Sequence, residues 1–401
     1  MGIGLVAQVH RIPGMEVVAI ADVLPGRAAA AYTQAAGTTN VTEGDDPGKL
    51  SQAVEDGRSV AVPDARLLPE LPIDVVVDAT GVPDVGATIA YSALLGGKDV
   101  ASLNAECDVT VGLLLSKVAH ASGQVYALCK GDEPVECLEL VHYVTDLSFE
   151  VVCAGKGKNN PLRPHDTPEM LVEEAERKHM NPKMLCSFVD GSKTMIEMAA
   201  LANATGLEVS RRGMYGPETT VPELADVFRP AADGGVLDRP GVVDYCTGPV
   251  APGVFVIGRT DHPAVLEEMK YLSMGEGPYY AFYRPYHLAS IEAPLTVARA
   301  ALDRVSTLEP IKRMAEVVAV AKRDLKPGDV IDGIGGTTVY GVTDSAAAAD
   351  EAGMLPLGLA ARATLVRNVA IDQTVTYDDV ELDPNSVIVK LRSLQDSLGL
   401  S

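Results

Sequence analysis

Four short groupings in the chain combine residues able to do chemistry. The first, Gly155-Lys156-Gly157-Lys158-Asn159-Asn160, follows an apolar run at Phe149, Val151 and Val152, and the second is Asp190-Gly191-Ser192-Lys193. Glycines at 155 and 157 would give a loop backbone freedom, while lysines and amides line it with donors and carbonyls, which suits an anion or sugar hydroxyls. The other two are Asn104-Ala105-Glu106-Cys107-Asp108 and Gly131-Asp132-Glu133-Pro134. A lysine beside a carboxylate can pass a proton to or from the oxygen that reacts in a hydride transfer. Paired carboxylates, here Asp132 and Glu133, could instead hold a divalent cation against two substrate oxygens, as a rearranging carbon skeleton would require. The catalytic candidates are therefore Lys156, Lys158, Asp190, Lys193 and Glu133, expected to converge with Asp132 on one pocket. The plainer alternative is that the acids cap helices and the charges form separate surface ion pairs, each worth roughly 0–1 kcal/mol.

Such residues need elements that hold them at the ends of strands, where open α/β sheets place their ligands. Residues 1–10 read as a helix starting at glycines, and 15–22 as a buried strand ending in an acid. In a dinucleotide-binding βαβ unit a glycine lets the backbone approach the pyrophosphate at a helix N-terminus, and an acid about 20 residues on takes the ribose hydroxyls. Gly2 and Asp22 stand in that relation. The first strand and the first two glycines of the fingerprint are missing, so the sequence looks truncated at its start. Residues 73–81 form an apolar strand running into the small-residue turn at Thr80 and Gly81, followed by a helix over 85–95 with Asp84 as its cap. Strands at 98–103 and 124–128, with a helix over 109–121 between them, complete the alternation of a parallel sheet covered on both faces. Residues 45–57 are expected to be a surface excursion. The candidate cofactor contacts are Gly2, Asp22, Thr80, Gly81, Asn104 and Glu106.

Further along, helices are expected at 133–147, after Thr167-Pro168-Glu169, and over 192–204, with strands at 242–246 and 253–258. Residues 279–287 gather aromatics in what reads as a core edge, where Arg284 and His287 are the members with chemical potential. Beyond 314 the texture turns to short β segments at 317–321, 330–331, 363–366, 375–377 and 387–389. The expected architecture is α/β: a Rossmann-type parallel sheet lacking its first strand in 1–130, an α/β catalytic and dimerisation domain in 131–314, and a small β-rich domain in 315–401.

A length of 401 residues with 47% hydrophobic and 22% charged residues fits several packed cores rather than disorder. The formal charge of −22 excludes nucleic acid and anionic membrane surfaces as partners, since both demand a basic face. It also makes the local run of Lys156, Lys158, Arg163 and Lys193 stand out. No apolar run approaches the roughly 20 residues of a membrane span and no leader pattern opens the chain, so a cytoplasmic protein is expected. The six cysteines lack a C-x-x-C pair or zinc spacing and read as buried reduced thiols. Gly191-Ser192-Lys193-Thr194 lacks the glycine that a phosphate-binding loop needs before its lysine, which speaks against nucleotide hydrolysis.

The succession Asn104-Ala105-Glu106-Cys107-Asp108, Gly131-Asp132-Glu133-Pro134, Gly155-Lys156-Gly157-Lys158-Asn159-Asn160-Pro161, Phe188-Val189-Asp190-Gly191-Ser192-Lys193-Thr194 and Arg284-Pro285-Tyr286-His287-Leu288 resembles the homoserine-dehydrogenase-like oxidoreductases that carry a C-terminal SAF domain. Ala321-Lys322-Arg323-Asp324-Leu325-Lys326-Pro327-Gly328-Asp329 is similar to the opening of that SAF domain. The family includes reductoisomerase-like enzymes that make methylerythritol phosphate from deoxyxylulose phosphate, and oxidoisomerases acting on apionate. The resemblance implies a Rossmann domain, an NAD or NADP cofactor, a catalytic domain ahead of the SAF domain, and a homo-oligomer, often a dimer. Its polar positions fall on Glu106, Asp132, Glu133, Lys156, Lys158, Asp190 and Lys193, without assigning roles. The expected function is an NAD(P)-dependent oxidoisomerase or reductoisomerase of a small phosphorylated or acidic sugar, with a divalent cation as an optional helper. Plain homoserine dehydrogenase and a non-catalytic small-molecule-binding protein are the alternatives. Asp22 favours NAD by repelling a 2′-phosphate, while Arg27 nearby keeps NADP open.

Overall fold

The structure, a computed structural model, describes residues 2–400. One unit takes the chain up to Asp132 together with Leu288–Glu309; the other takes Glu133–His287 together with the chain from Pro310 onward.

The first unit is built from parallel strands. Val75–Asp78, Asp99–Ser102 and Tyr126–Leu128 form one three-stranded sheet, and Ala19–Ala21, Ser59–Val62 and Val41–Glu43 form another with Ser59–Val62 in the middle. Val100, Ala101 and Ala127 are fully buried, as strands covered on both faces require. Among the described residues no strand joins the two sheets. The strand expected over 15–22 contracts to Ala19–Ala21.

Several local expectations change for identifiable reasons. Pro47–Glu55 is a helix and not a surface excursion: Asp46 accepts from the N–H groups of Gly48 and Lys49, proline suits the first turn, and Leu50 and Ala53 turn inward. The helix Pro83–Leu95 has Val82 as its cap residue, so Asp84 lies in the first turn and is not the cap. The helix Ala105–Ser122 starts earlier than its apolar run because Asn104 caps it, accepting from the Cys107 N–H.

The second unit holds a four-stranded sheet in the order Tyr279–Arg284, Val254–Arg259, Glu150–Gly157, Val242–Cys246, with only the last pair parallel. The helices Glu133–Asp146 and Ser192–Thr205 pack on it and on each other. An apolar cluster that includes Val152, Phe228, Leu237, Phe255 and Ile257 also closes on the sheet. The aromatic run is an edge strand whose Phe282 meets Phe149 and Tyr143 edge-on. Downstream, Ala315–Ala321 pairs antiparallel with Val339–Ser345, and Thr364–Leu365 with Val380–Glu381.

Two expected strands there, at 330–331 and 375–377, make no strand: Val330 forms an isolated bridge to Thr364, and Tyr377–Asp379 is a short 3-10 turn. The expected strand at 387–389 opens the helix Val387–Ser397 instead. Ser386 caps it by accepting from the Val389 N–H, and Ile388 and Leu391 recur inward at helical spacing, which overrides the strand preference of the two valines. No described helix is long and apolar enough to cross a membrane.

One buried acid in the first unit, Asp108, is only weakly compensated, by the nearby Tyr126 hydroxyl. Both Asp108 carboxylate oxygens and the Tyr126 hydroxyl are buried outside hydrogen-bonding geometry. Burial pushes the Asp108 carboxyl up to about 7. Below the ordinary carboxylate range both the folded and unfolded chains are protonated, and the group costs nothing. As pH rises from there towards 7 the unfolded chain releases the proton first, so the folded chain binds more protons and loses stability. The expected outcome is that Asp108→Asn melts higher than the parent at pH 8, by the equivalent of roughly 2–4 kcal/mol, and alike at pH 4; thermal unfolding at the two pH values checks it.

Candidate active site

The stretch Gly155-Lys156-Gly157 is strand, which corrects the expectation of a loop. Neither glycine is left-handed. A side chain at Gly155 would collide with the Asp244 carbonyl and one at Gly157 with the Ala251 backbone, so glycine is needed for close approach of neighbouring chain. Lys156 and Lys158 are two residues apart, and the Lys158 N–H still bonds the Cys246 carbonyl at 2.7 Å, so both side chains leave the same face of a rigid sheet.

Two helices supply the acids. Glu133 is the first residue of the helix Glu133–Asp146, and Glu197 lies one turn past Lys193 on the helix Ser192–Thr205. That second helix can begin directly after Asp190 because Gly191 takes φ 93°, a conformation costly for other residues.

Lys156 Nζ donates to Glu133 Oε1 at 2.5 Å and to Glu197 Oε2. His287 Nε2 stands 3.3 Å from the same Glu133 oxygen, and Lys193 Nζ stands 3.9 Å from Glu197 Oε1. Beside them Arg284 pairs with the fully buried Glu136. Burial by itself would drive the Lys156 ammonium towards neutrality, but Glu133 and Glu197 outweigh it and push its pKa above the ordinary lysine range. Burial would likewise raise Glu133, and Lys156 with His287 holds it well below the ordinary carboxylate range.

Lys158 has the opposite environment. Burial, then the positive charge of Lys156, lowers it to about 8 against weaker support from Asp190 and Glu197. Its Nζ donates to the carbonyls of Asn160 and Phe188 at 2.6 and 2.8 Å.

Of the sequence candidates, Glu133, Lys156 and Lys193 thus meet through Glu197, with Lys158 alongside. Asp190 is engaged elsewhere: its Oδ2 is 2.8 Å from Lys322 Nζ and its Oδ1 accepts from the Ser192 N–H, so it pairs with neither Lys156 nor Lys193. Asp132 is buried and joined to Glu133 by the peptide bond at which one unit ends and the other begins. The sequence reading missed Glu197 and Lys322. The spacing of four from Lys193 could have flagged Glu197; nothing local flags Lys322.

All six cysteines are buried and unpaired with one another, as expected. Burial raises the Cys137 and Cys246 thiols to about 12, which leaves no thiolate nucleophile there. A cavity of 460 Å³ in the same unit is lined by Glu208, Arg239, Lys312, Arg313 and Asp350 rather than by the lysine cluster. Its arginines already pair with Glu208 and Asp350, so it does not compete as the chemical centre.

In the first unit Asp22 follows the strand Ala19–Ala21, accepts from the Leu24 N–H at 2.9 Å, and lies 3.5 Å from Arg27 Nε. Gly2 opens the first described helix, and an added Cβ there would meet nothing within 4 Å. The Thr80 N–H donates to Asp78, and Gly81 follows with φ 62°. The Asn104 amide donates to Asp78 Oδ2 and the Val82 carbonyl at 2.9 and 3.0 Å, so this side chain is used within the fold. Glu106 is buried on the first turn of its helix.

Residues 131–293 match the family described as "Oxidoreductase DRL, catalytic domain", and residues 316–381 match the SAF domain. The chain carries an oxidoreductase catalytic domain followed by a SAF domain. Glu133, Lys156, Lys158, Asp190, Lys193, Glu197 and His287 all fall in the first match, and Lys322 falls in the second. No curated protein matches the chain. Among solved structures, a "probable dehydrogenase" from Thermotoga maritima is 12% identical at TM-score 0.40, covering 76% of this chain and 87% of that one. Levoglucosan dehydrogenase in complex with NADH and levoglucosan is 17% identical at TM-score 0.31, over 64% and 60% of the two chains. The 1-deoxy-D-xylulose 5-phosphate reductoisomerase from Zymomonas mobilis, in complex with NADPH, is 18% identical at TM-score 0.32, over 48% of this chain and 53% of that chain. This chain thus spans about half the length of the reductoisomerase. Likenesses this loose carry no argument about the reaction.

The paired environment of Lys156 sets an expectation that differs from that for an exposed lysine. Lys156→Met would leave two buried carboxylates facing each other and is expected to cost about 3–5 kcal/mol in denaturant unfolding, most of it recovered when Glu133→Gln and Glu197→Gln are added. Lys193→Met, which removes a looser 3.9 Å contact from a partly exposed lysine, should cost less than Lys156→Met.

Proposed function

We propose that the protein is an NAD(P)-dependent oxidoreductase that interconverts an alcohol and a carbonyl in a small phosphorylated or acidic sugar. The observation that carries this reading is the buried Glu133–Lys156–Glu197 arrangement beside Lys158, inside the segment that matches an oxidoreductase catalytic domain. An ammonium held charged and away from water is a preorganised donor for an oxygen that gains negative charge in the transition state. That is the role of Lys156, with Glu133 and Glu197 holding it in place.

Lys158 moves the proton. With its pKa lowered to about 8, it exchanges protons near neutral pH, and of its three N–H groups two already reach carbonyls while one is left for substrate. Lys193, whose side chain is 17% exposed, takes the acidic group of the substrate. A bound nicotinamide would supply or remove the hydride. Its adenosine ribose is assigned to Asp22, which favours NAD; Arg27, 3.5 Å from that carboxylate, leaves NADP within reach.

Glu133 and Glu197 present carboxylate oxygens within 4.8 Å of one another, a hard donor pair of the kind magnesium takes. Lys156 already occupies both, so the alcohol–carbonyl step is assigned to lysine. A divalent ion held by Asp132 and Glu133 would compete with Lys156 for Glu133 and belongs to a skeletal rearrangement.

Titration with NADH and NADPH, followed by a panel of sugar acids and sugar phosphates, tests the reading. One cofactor is expected to bind and at least one panel member to be oxidised, with kcat/KM rising with pH through about 8 as Lys158 loses its proton. Lys158→Met should abolish that limb. Failure of both cofactors to bind would overturn the reading.

A further inference from the structure

The helix Ser192–Thr205 carries Lys193 and Glu197, and its own sequence does not fix where it sits. Its cap residue, Gly191, has no side chain to cap it. The fixing groups come from the C-terminal part of the same unit. Lys322, whose side chain is 1% exposed, places Nζ 2.8 Å from Asp190 Oδ2, and donates to the carbonyls of Asp166 and Gly336 at 2.9 and 2.8 Å. Asp190 passes this on through its Oδ1, which accepts from the Ser192 N–H at 2.8 Å, the first N–H of the helix.

The strand Val339–Ser345 continues the attachment. The Gly341 N–H donates to Ser192 Oγ and Thr343 Oγ1 donates to the Met195 carbonyl, both at 2.8 Å. At the far end Asn203 Oδ1 accepts from the N–H groups of Met314 and Ala315 at 2.8 and 2.9 Å. A cation and a carboxylate this buried hold each other in one geometry, since neither can turn away without losing a close charge partner in a medium that solvates neither.

We infer that Lys322 is a positioning residue of the catalytic centre, and that the SAF domain's function in this chain includes setting the helix that presents Glu197 and Lys193 to Lys156. Lys322 touches none of the groups assigned to the reaction; it acts through Asp190 and the start of the helix. The same attachment holds Lys158, because the Phe188 carbonyl that accepts from it lies two residues before Asp190. This inference rests on the reading of Lys156 and its partners as the catalytic centre.

The test compares Lys322→Met, Lys322→Arg and Lys156→Met in the full chain, by cofactor-linked turnover, thermal melting and the pH profile of kcat/KM. Lys322→Met is expected to lower kcat at least tenfold with cofactor affinity unchanged and to displace the limb near pH 8, with Lys322→Arg recovering a large part of both. Should Lys322→Met fail to fold, Asp190→Asn combined with Lys322→Met removes both charges from the interior and is expected to fold and still show the loss. Wild-type kcat and an unmoved pH profile in a folded Lys322 variant, with Lys156→Met inactive, would overturn the positioning role while the catalytic reading stands. Full activity in Lys156→Met would remove the catalytic reading, and this inference with it.

Discussion

The constraint on which the second unit depends is a lysine ammonium that cannot reach water. Lys156 is 6% exposed, and a charge so placed must be met by opposite charge and hydrogen bonds or give up its proton. It is met twice, by Glu133 and Glu197, which come from two different helices. The strand Glu150–Gly157 and the helices Glu133–Asp146 and Ser192–Thr205 are therefore tied at one point as well as packed over their length. A buried ion network of this kind is weak evidence for stability, because apolar residues of the same shape would often do as well. Its presence within an oxidoreductase catalytic domain argues that the charge itself is used.

Two lysines two residues apart on one strand are driven in opposite directions. Lys156 has two carboxylates and is held charged; Lys158 hydrogen-bonds two carbonyls, and burial, then that fixed positive charge, lowers it to about 8 against weaker support from Asp190 and Glu197. Environments that push neighbouring titratable groups apart can separate their roles, and in the proposed reaction Lys156 would stabilise charge while Lys158 would exchange a proton. With an overall charge of −22, the acidic substrate proposed here would gain nothing from the long-range field and would have to be held by close contacts.

Much of this arrangement was legible in the sequence, unevenly. The α/β class, the helix at Glu133 and the strand leading to Lys156 follow from periodicity and turn residues, because local pattern dictates them. Gly155 and Gly157 were misread as a loop because glycine serves equally for unusual dihedrals and for close approach, and only the position of the Asp244 and Ala251 backbones distinguishes the two. Asp190 was assigned to the lysine cluster from its nearness in sequence to Lys193, whereas its partner, Lys322, is far along the chain in the SAF match. Contacts of that range leave no local trace. The valines at 387 and 389 misled for the converse reason, since a strand-like composition was overridden by a serine cap and by inward spacing that packing, not propensity, decides.

The contrast between the two lysines can be measured with no substrate in hand. Heteronuclear NMR of the protein with isotope-labelled lysine side chains, titrated from pH 6 to 11, reports each ammonium directly. One lysine signal is expected to titrate near 8 and to vanish in Lys158→Arg, while the Lys156 signal stays that of an ammonium to the end of the range. A titration in which no lysine moves below pH 10, or in which Lys156 is the one that loses its proton, would contradict the assignment of both roles.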